Sequence, residues 1–195
     1  LTRELSFFPL AINFDSGDEI GLAIRSTHEH LDEAFEIRSG RMISPGSYDF
    51  LEFEIEATTA QRRNFWVSAE ASTGSFFDGD RTDYGFASGY KVAAPLFAGI
   101  EFERSEVSLP AGDFDTNIIR GDVNLLFSPK MTLTNFFQFD SESRRIGWQS
   151  RFRWIVQPGN EILIVWNAAI SENPSNRYEF NSSQSRAKII YNYRL

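Results

Sequence analysis

The chain has 195 residues, 42% of them apolar and 24% charged, a balance that excludes a disordered polymer and suffices for one ordinary domain or one unit of a larger one. It contains no Cys, which removes disulfides, thiolate catalysis and Cys-ligated metals together, and its net charge of −8 argues against nucleic acid as a main partner. No run reaches the ~18 apolar residues of a membrane helix, which leaves open a membrane barrel, whose strands are short and alternate.

Period-two alternation runs through almost every segment and predicts eleven strands, at 4–14, 18–28, 47–59, 62–74, 83–93, 95–105, 115–128, 130–141, 146–157, 160–171 and 185–195. Phe8, Leu10, Ile12 and Phe14 open the series, and Ile20, Leu22 and Ile24 follow. Leu51, Phe53 and Ile55 then interleave with Glu52, Glu54 and Glu56, and Phe65, Val67, Ala69 and Ala71 with Ser68 and Glu70. Further on, Ile100 and Phe102 alternate with Glu101 and Glu103, and Ile119, Val123 and Leu125 with Arg120, Asp122 and Asn124. Trp148, Phe152 and Trp154 alternate with Gln149, Arg151 and Arg153, before the stripes Ile162, Ile164, Trp166 and Ile189, Tyr191, Tyr193. No segment carries a helical stripe. Many of these strands exceed the ~5–6 residues usual in soluble sheets and approach the ~9–11 of a tilted membrane strand.

The connections are expected to alternate in length. Short ones fall at Asp15-Ser16-Gly17, near Ala60-Gln61, and at Ala94-Pro95, Ser128-Pro129-Lys130 and Gln157-Pro158-Gly159-Asn160, where Gly, Pro, Asn and Asp are turn formers. Long ones are expected at 29–46, 75–82, 106–114, 142–145 and 172–184. Tight turns at one end and longer loops at the other are the pattern of outer-membrane barrels.

Alternation does not say which face is wet, since a soluble barrel or sandwich turns its apolar face inward and a membrane barrel turns it outward. Three features favour the second. The loops alternate, the polar face is poor in Lys although Arg outnumbers Lys 16 to 3, and the sequence closes on the strand-like Ile189–Leu195. That final segment resembles the assembly signal of outer-membrane proteins, with Leu195 in place of the usual Phe. Phe53, Ile100, Leu125, Phe152 and Ile164 are then expected to face lipid, and Tyr48, Tyr84, Trp148 and Tyr193 to lie near the interfaces. The charged residues expected to line the lumen are Glu52, Glu54, Glu56, Glu70, Glu101, Glu103, Arg120, Arg151, Arg153 and Arg194, with Lys188 on the same stripe. If these line one channel, acidic and basic walls result.

Candidate sites are few. His28 and His30 share a strand face, yet no third His or Cys completes a zinc set. Asp78, Asp80 and Asp83 form a calcium candidate in a loop, against the reading of a solvated acidic turn. Glu101 and Glu103 have the form of a glycosidase pair, but Glu at alternate positions is simply the polar face here. No phosphate-binding loop, dinucleotide fingerprint or nucleophile elbow is present. No catalytic residue, metal or cofactor is therefore expected.

From Arg120 to Asn167 the sequence is most distinctive: Ser128-Pro129, Asn135-Phe136-Phe137-Gln138-Phe139-Asp140, Arg151-Phe152-Arg153-Trp154-Ile155, Gln157-Pro158-Gly159-Asn160-Glu161 and Val165-Trp166-Asn167. Val107–Phe114, Phe35-Glu36-Ile37, Ile43–Tyr48 and Phe77–Arg81 fit the same pattern. Together they resemble the C-terminal β-barrel region of a bacterial outer-membrane protein family of unknown function that carries an N-terminal domain similar to family-nine carbohydrate-binding modules. The resemblance implies an all-β, antiparallel, up-and-down transmembrane β-barrel segment over 1–195, about 10–11 strands long. It implies that further strands and a carbohydrate-binding-like domain precede this segment, with lipid and those upstream strands as partners. The expected role is porin-like envelope transport or membrane anchoring in the bacterial outer membrane, without catalysis. The alternative is a soluble all-β carbohydrate-binding module. An odd strand count, the absent start codon and the absent leader pattern together suggest a fragment or a processed product. The first and last strands are accordingly expected not to close a barrel by pairing with each other.

Overall fold

The computed structural model describes residues 2–173 and 175–192. It is all-β, with thirteen strands: β1 (Thr2–Asn13), β2 (Glu19–Leu31), β3 (Phe35–Arg38), β4 (Arg41–Ile43), β5 (Gly46–Thr58), β6 (Phe65–Phe76), β7 (Gly79–Ala93), β8 (Leu96–Ser108), β9 (Phe114–Ser128), β10 (Met131–Asp140), β11 (Arg145–Gln157), β12 (Asn160–Glu172) and β13 (Tyr178–Ile190). Eleven of them form one sheet in the order β1-β2-β5-β6-β7-β8-β9-β10-β11-β12-β13, and β3 and β4 form a separate small hairpin. Every register resolved in the large sheet is antiparallel, so the chain winds up and down with each strand beside its predecessor in the sheet. Among the described residues β1 and β13 end the order, each paired on one side only.

The eleven expected strands are all present, but three connections differ from the sequence reading. Of the expected loop 75–82 only Phe77 and Asp78 form a turn, with β6 running to Phe76 and β7 starting at Gly79. The polar, Gly- and Asp-rich composition reads as a loop, yet a ladder needs only backbone groups, and Phe77 takes the left-handed φ of 49° that the tight turn requires. The last strand begins at Tyr178, not near 185, because the serine-rich stretch pairs with β12 through Tyr178↔Glu172 and Ser182↔Ala169. The expected long loop 29–46 holds the β3–β4 hairpin. Tyr193, Arg194 and Leu195, which carry the terminal signal and one predicted lumen charge, lie outside the described residues.

The residues divide into two compact units. The first holds the chain up to Phe86 together with Glu103–Thr116, and the second holds Ala87–Phe102 and the chain from Asn117 onward. Within each, register places the alternating residues on two opposite faces. In the first, Phe7, Ile24, Phe53 and Thr73 share a row on the apolar face, while Arg25, Glu52 and Gly74 share one on the polar face. In the second, Leu125, Leu133, Phe152, Ile164 and Ala187 form one unbroken apolar row.

The apolar face lies open. Leu51, Phe53 and Ile55 on β5 are 46%, 51% and 52% exposed. The first unit's buried cluster instead joins Ile43, Tyr48, Val107 and Leu109, with Leu31, Phe50, Phe76, Phe77 and Phe114 packed against it. Tyr48, Phe50 and Phe76 belong to the polar-face stripe, so that stripe turns apolar at one end, where the β3–β4 hairpin folds onto it. Arg41 holds the hairpin down by donating Nε to the Gly112 carbonyl at 3.0 Å and Nη2 to the Asp113 carbonyl at 2.8 Å. Arg38 donates to the Asp115 carbonyl and lies over the Phe114 ring.

Candidate functional site

Along the middle of the strands the ion pairs of Arg25, Arg120 and Arg153 lie on the stripe opposite the aromatic one, while His28 and Asp49 pair on the aromatic stripe itself, toward one end of β2 and β5. In the first unit Arg25 on β2 meets two β5 carboxylates, Glu52 at 3.1 Å and Glu54 at 2.6 Å. The Glu54 side chain is only 18% exposed, whereas Phe53 beside it is 51% exposed. The acidic residue is thus better covered than the aromatic one, the reverse of a water-soluble sheet.

Glu56 and Glu70 stand directly opposite each other on β5 and β6. Two like charges in register repel, and glycines give each carboxylate room to turn aside. The Glu56 side chain lies over Gly21, and that of Glu70 lies over Gly85, where any Cβ would collide with it. Arg81 pairs with Asp83 at 2.7 Å, and the Ser105 hydroxyl donates to the same carboxylate. These groups border a cavity of about 490 Å³ whose wall includes Arg25, Glu54, Glu70, Asp83 and Glu103.

The turns at one end of this unit are clipped together. The Asp18 carboxylate accepts from Arg63 at 2.6 Å and from the Ala60 backbone N–H at 2.9 Å, and Arg62 donates to the Ser16 carbonyl at 2.7 Å. The Arg63 bond, with help from Ser16 and the Ala60 amide, holds the Asp18 carboxyl well below the usual carboxylate range, and the same bond raises Arg63.

In the second unit Arg120 donates to Glu101 at 2.7 Å. Glu101 and Glu103, adjacent on the β8 polar stripe, fall in different units. Arg153 donates Nε and Nη2 to a single oxygen of Glu161, at 2.9 and 2.6 Å. Gln149 donates to Asn167 at 2.8 Å across β11 and β12. Arg151 has no hydrogen-bonding or ionic partner among the described residues.

The calcium candidate is not assembled. Asp78 sits in the β6–β7 turn, while Asp80 and Asp83, three apart on β7, point to opposite faces as strand alternation requires. Among the described residues no three His, Asp or Glu side chains converge as a metal set. His28 and His30 do share a face, but each engages its own cross-strand neighbour, Asp49 at 2.7 Å and Ser47 at 2.8 Å.

Arg25 and Glu161 are functional-face partners that the sequence does not single out, since Arg25 is one charge among the β2 apolars and Glu161 follows a turn. The glycine that faces a glutamate, as Gly21 faces Glu56, emerges only from the strand register. No protein-family model, curated protein or solved structure matches this chain. Fold and faces define the class: an all-β protein built on an eleven-stranded antiparallel meander.

Proposed function

We propose that the chain is a segment of an outer-membrane β-barrel that spans a lipid bilayer, performs no catalysis, and serves porin-like envelope transport or anchors an upstream binding domain. One observation carries this reading: along the middle of the strands in both units the aromatic and aliphatic face is open, while the opposite face holds the ion pairs of Arg25, Arg120 and Arg153. Leu5, Phe7, Ile24's row-mate Phe53, Ile100, Trp148 and Ile164 are all exposed large hydrophobics of that kind. Lipid is the medium in which such a face gains free energy and water the one in which it loses it.

The strands of the large sheet, ten to fifteen residues long, match or exceed the ~9–11 that a tilted crossing needs. An edge of unpaired N–H and C=O groups is not tolerated in hydrocarbon, so β1 and β13 would pair with additional strands, supplied by an upstream part of the same protein. The resemblance to the family with a carbohydrate-binding-like domain supplies a source for them, and would place the protein in the bacterial outer membrane.

The test uses the tryptophans. Trp148, Trp154 and Trp166 lie on the apolar face, and Trp66 on the polar stripe of β6. In single-tryptophan variants reconstituted in vesicles with brominated acyl chains, the first three should be quenched and Trp66 spared. A chain that is monomeric and folded in buffer without detergent, with all four unquenched, would overturn the reading.

A further inference from the structure

Seven arginines, Arg25, Arg63, Arg81, Arg104, Arg120, Arg144 and Arg153, each meet a carboxylate. Of the cations without one, three stand close together on a single face. On the polar face of the second unit, Arg151 on β11 is in register with Val165 on β12, which is in register with Arg186 on β13. In the next row of the same face, Arg153, Leu163 and Lys188 are aligned in the same way. Neighbouring strands lie ~4.8 Å apart and residues two apart along a strand ~6.8 Å, so the four cations mark the corners of a rectangle of roughly 10 by 7 Å. Leu163 and Val165, half-buried, form its floor. Among the described residues Glu161 is the one carboxylate paired to any of the four, through Arg153, and Arg151, Arg186 and Lys188 have no partner.

Four cations at such distances repel one another unless counter-charge is present. Three of them are long guanidinium groups, which take two oxygens of a phosphate, sulfate or carboxylate at once. The two apolar residues between them, Leu163 and Val165, bring no counter-charge of their own. We propose that this rectangle is a binding site for a compact polyanion, one carrying two or more phosphate or carboxylate groups, seated over Leu163 and Val165 between β11 and β13. It stands on the polar face alone and does not depend on what covers the apolar one.

A different role competes for the same residues: Arg186 and Lys188 lie on the edge strand and would also suit an acidic strand added beside β13. Arg151 separates the two, because it lies two strands inside that edge. The test is calorimetric titration of the whole chain, kept dispersed in detergent micelles and verified as β-sheet by circular dichroism, with inorganic pyrophosphate and separately with citrate. Saturable binding at one site per chain is expected for at least one of them, and which one binds identifies the anionic group. Arg151→Ala and Lys188→Ala should each weaken it about tenfold, the loss of one charge-assisted hydrogen bond, and Arg151→Lys should retain most of it. Arg144→Ala, which removes an equal charge elsewhere in the unit, should change nothing. Absence of saturable binding by the wild type would overturn the proposal. So would equal weakening by Arg144→Ala, or wild-type affinity in Arg151→Ala. The micelle requirement itself bears on the membrane reading, and the titration does not, so failure of one is distinguishable from failure of the other.

Discussion

In the first unit Arg25 is held between Glu52 and Glu54, the acidic stripe around it borders a cavity, and the same stripe turns apolar at one end in the Ile43–Tyr48 cluster. In the second unit Arg151, Arg186 and Lys188 stand on the same kind of face without carboxylates, and its strands are joined by turns as short as Pro158-Gly159. Both units obey one alternation, so the difference does not come from strand pattern. It comes from what each connection carries. The 32–45 segment has apolar residues at Ile37 and Ile43 and two arginines able to reach the 112–115 carbonyls, and it folds back over its own sheet. The 173–177 turn has no such equipment. A regular sheet thus acquires regional character from short inserts and from which charges meet in register, not from its ladder.

The largest effect that would break this comparison lies in the hairpin cluster. Ile43, 3% exposed, should cost about 3 kcal/mol when replaced by Ala. Denaturant titration measures the loss, and hydrogen exchange should place the weakened amides in the first unit only. Weakening spread equally through both would contradict a role of the cluster within the first unit alone.

On the apolar face of the second unit, Phe152→Arg should cost about 2–4 kcal/mol in a bilayer if its row lies near the midplane. The same substitution at Phe53 tests whether the first unit's face meets the same medium. A cost at Phe152 with none at Phe53, read from unfolding in vesicles, would show that the faces differ in surroundings as well as in charge.

Two glycines give a smaller contrast. A Cβ at Gly74 would run into the backbone of Leu51 and Glu52, so Gly74→Ala should destabilise by roughly 1–3 kcal/mol. Nothing lies within 4 Å of a Cβ at Gly147, so Gly147→Ala should leave the thermal midpoint unchanged or slightly raised.

The smallest effect concerns the turn clip. The folded-state pKa of Asp18 is depressed, so its contribution is present above the ordinary carboxylate value of about 3.9 and is lost as pH falls through the folded value. Asp18→Asn should therefore be less stable than wild type by a constant margin above pH ~5, and the margin should shrink as the medium is acidified below pH ~4. A margin that grows on acidification would refute the assignment.

Much of this was legible in order along the chain. Period two is a local property, because successive side chains of an extended strand point to opposite faces whatever they pair with. Hence Phe53 and Glu54, or Phe152 and Arg153, could be separated onto two faces from their spacing, and all eleven sheet strands could be counted. Strand ends were less legible where composition misled: the serines of 182–185 and the Asp-Gly stretch at 78–80 look like loop, but a backbone ladder is indifferent to those side chains. The pairings were not legible at all. Whether Arg25 meets Glu54, whether Arg153 meets Glu161 while Arg151 meets nothing described, and whether Gly85 makes room for Glu70 depend on register between strands that local pattern does not encode. A shift of two residues would keep every face and change every partner, since it preserves alternation while moving each charge ~7 Å along its neighbour. The folding of 32–45 onto the polar stripe is of the same kind. Its apolar residues find cover only once Tyr48, Phe76 and Val107 have been brought together from β5, β6 and β8.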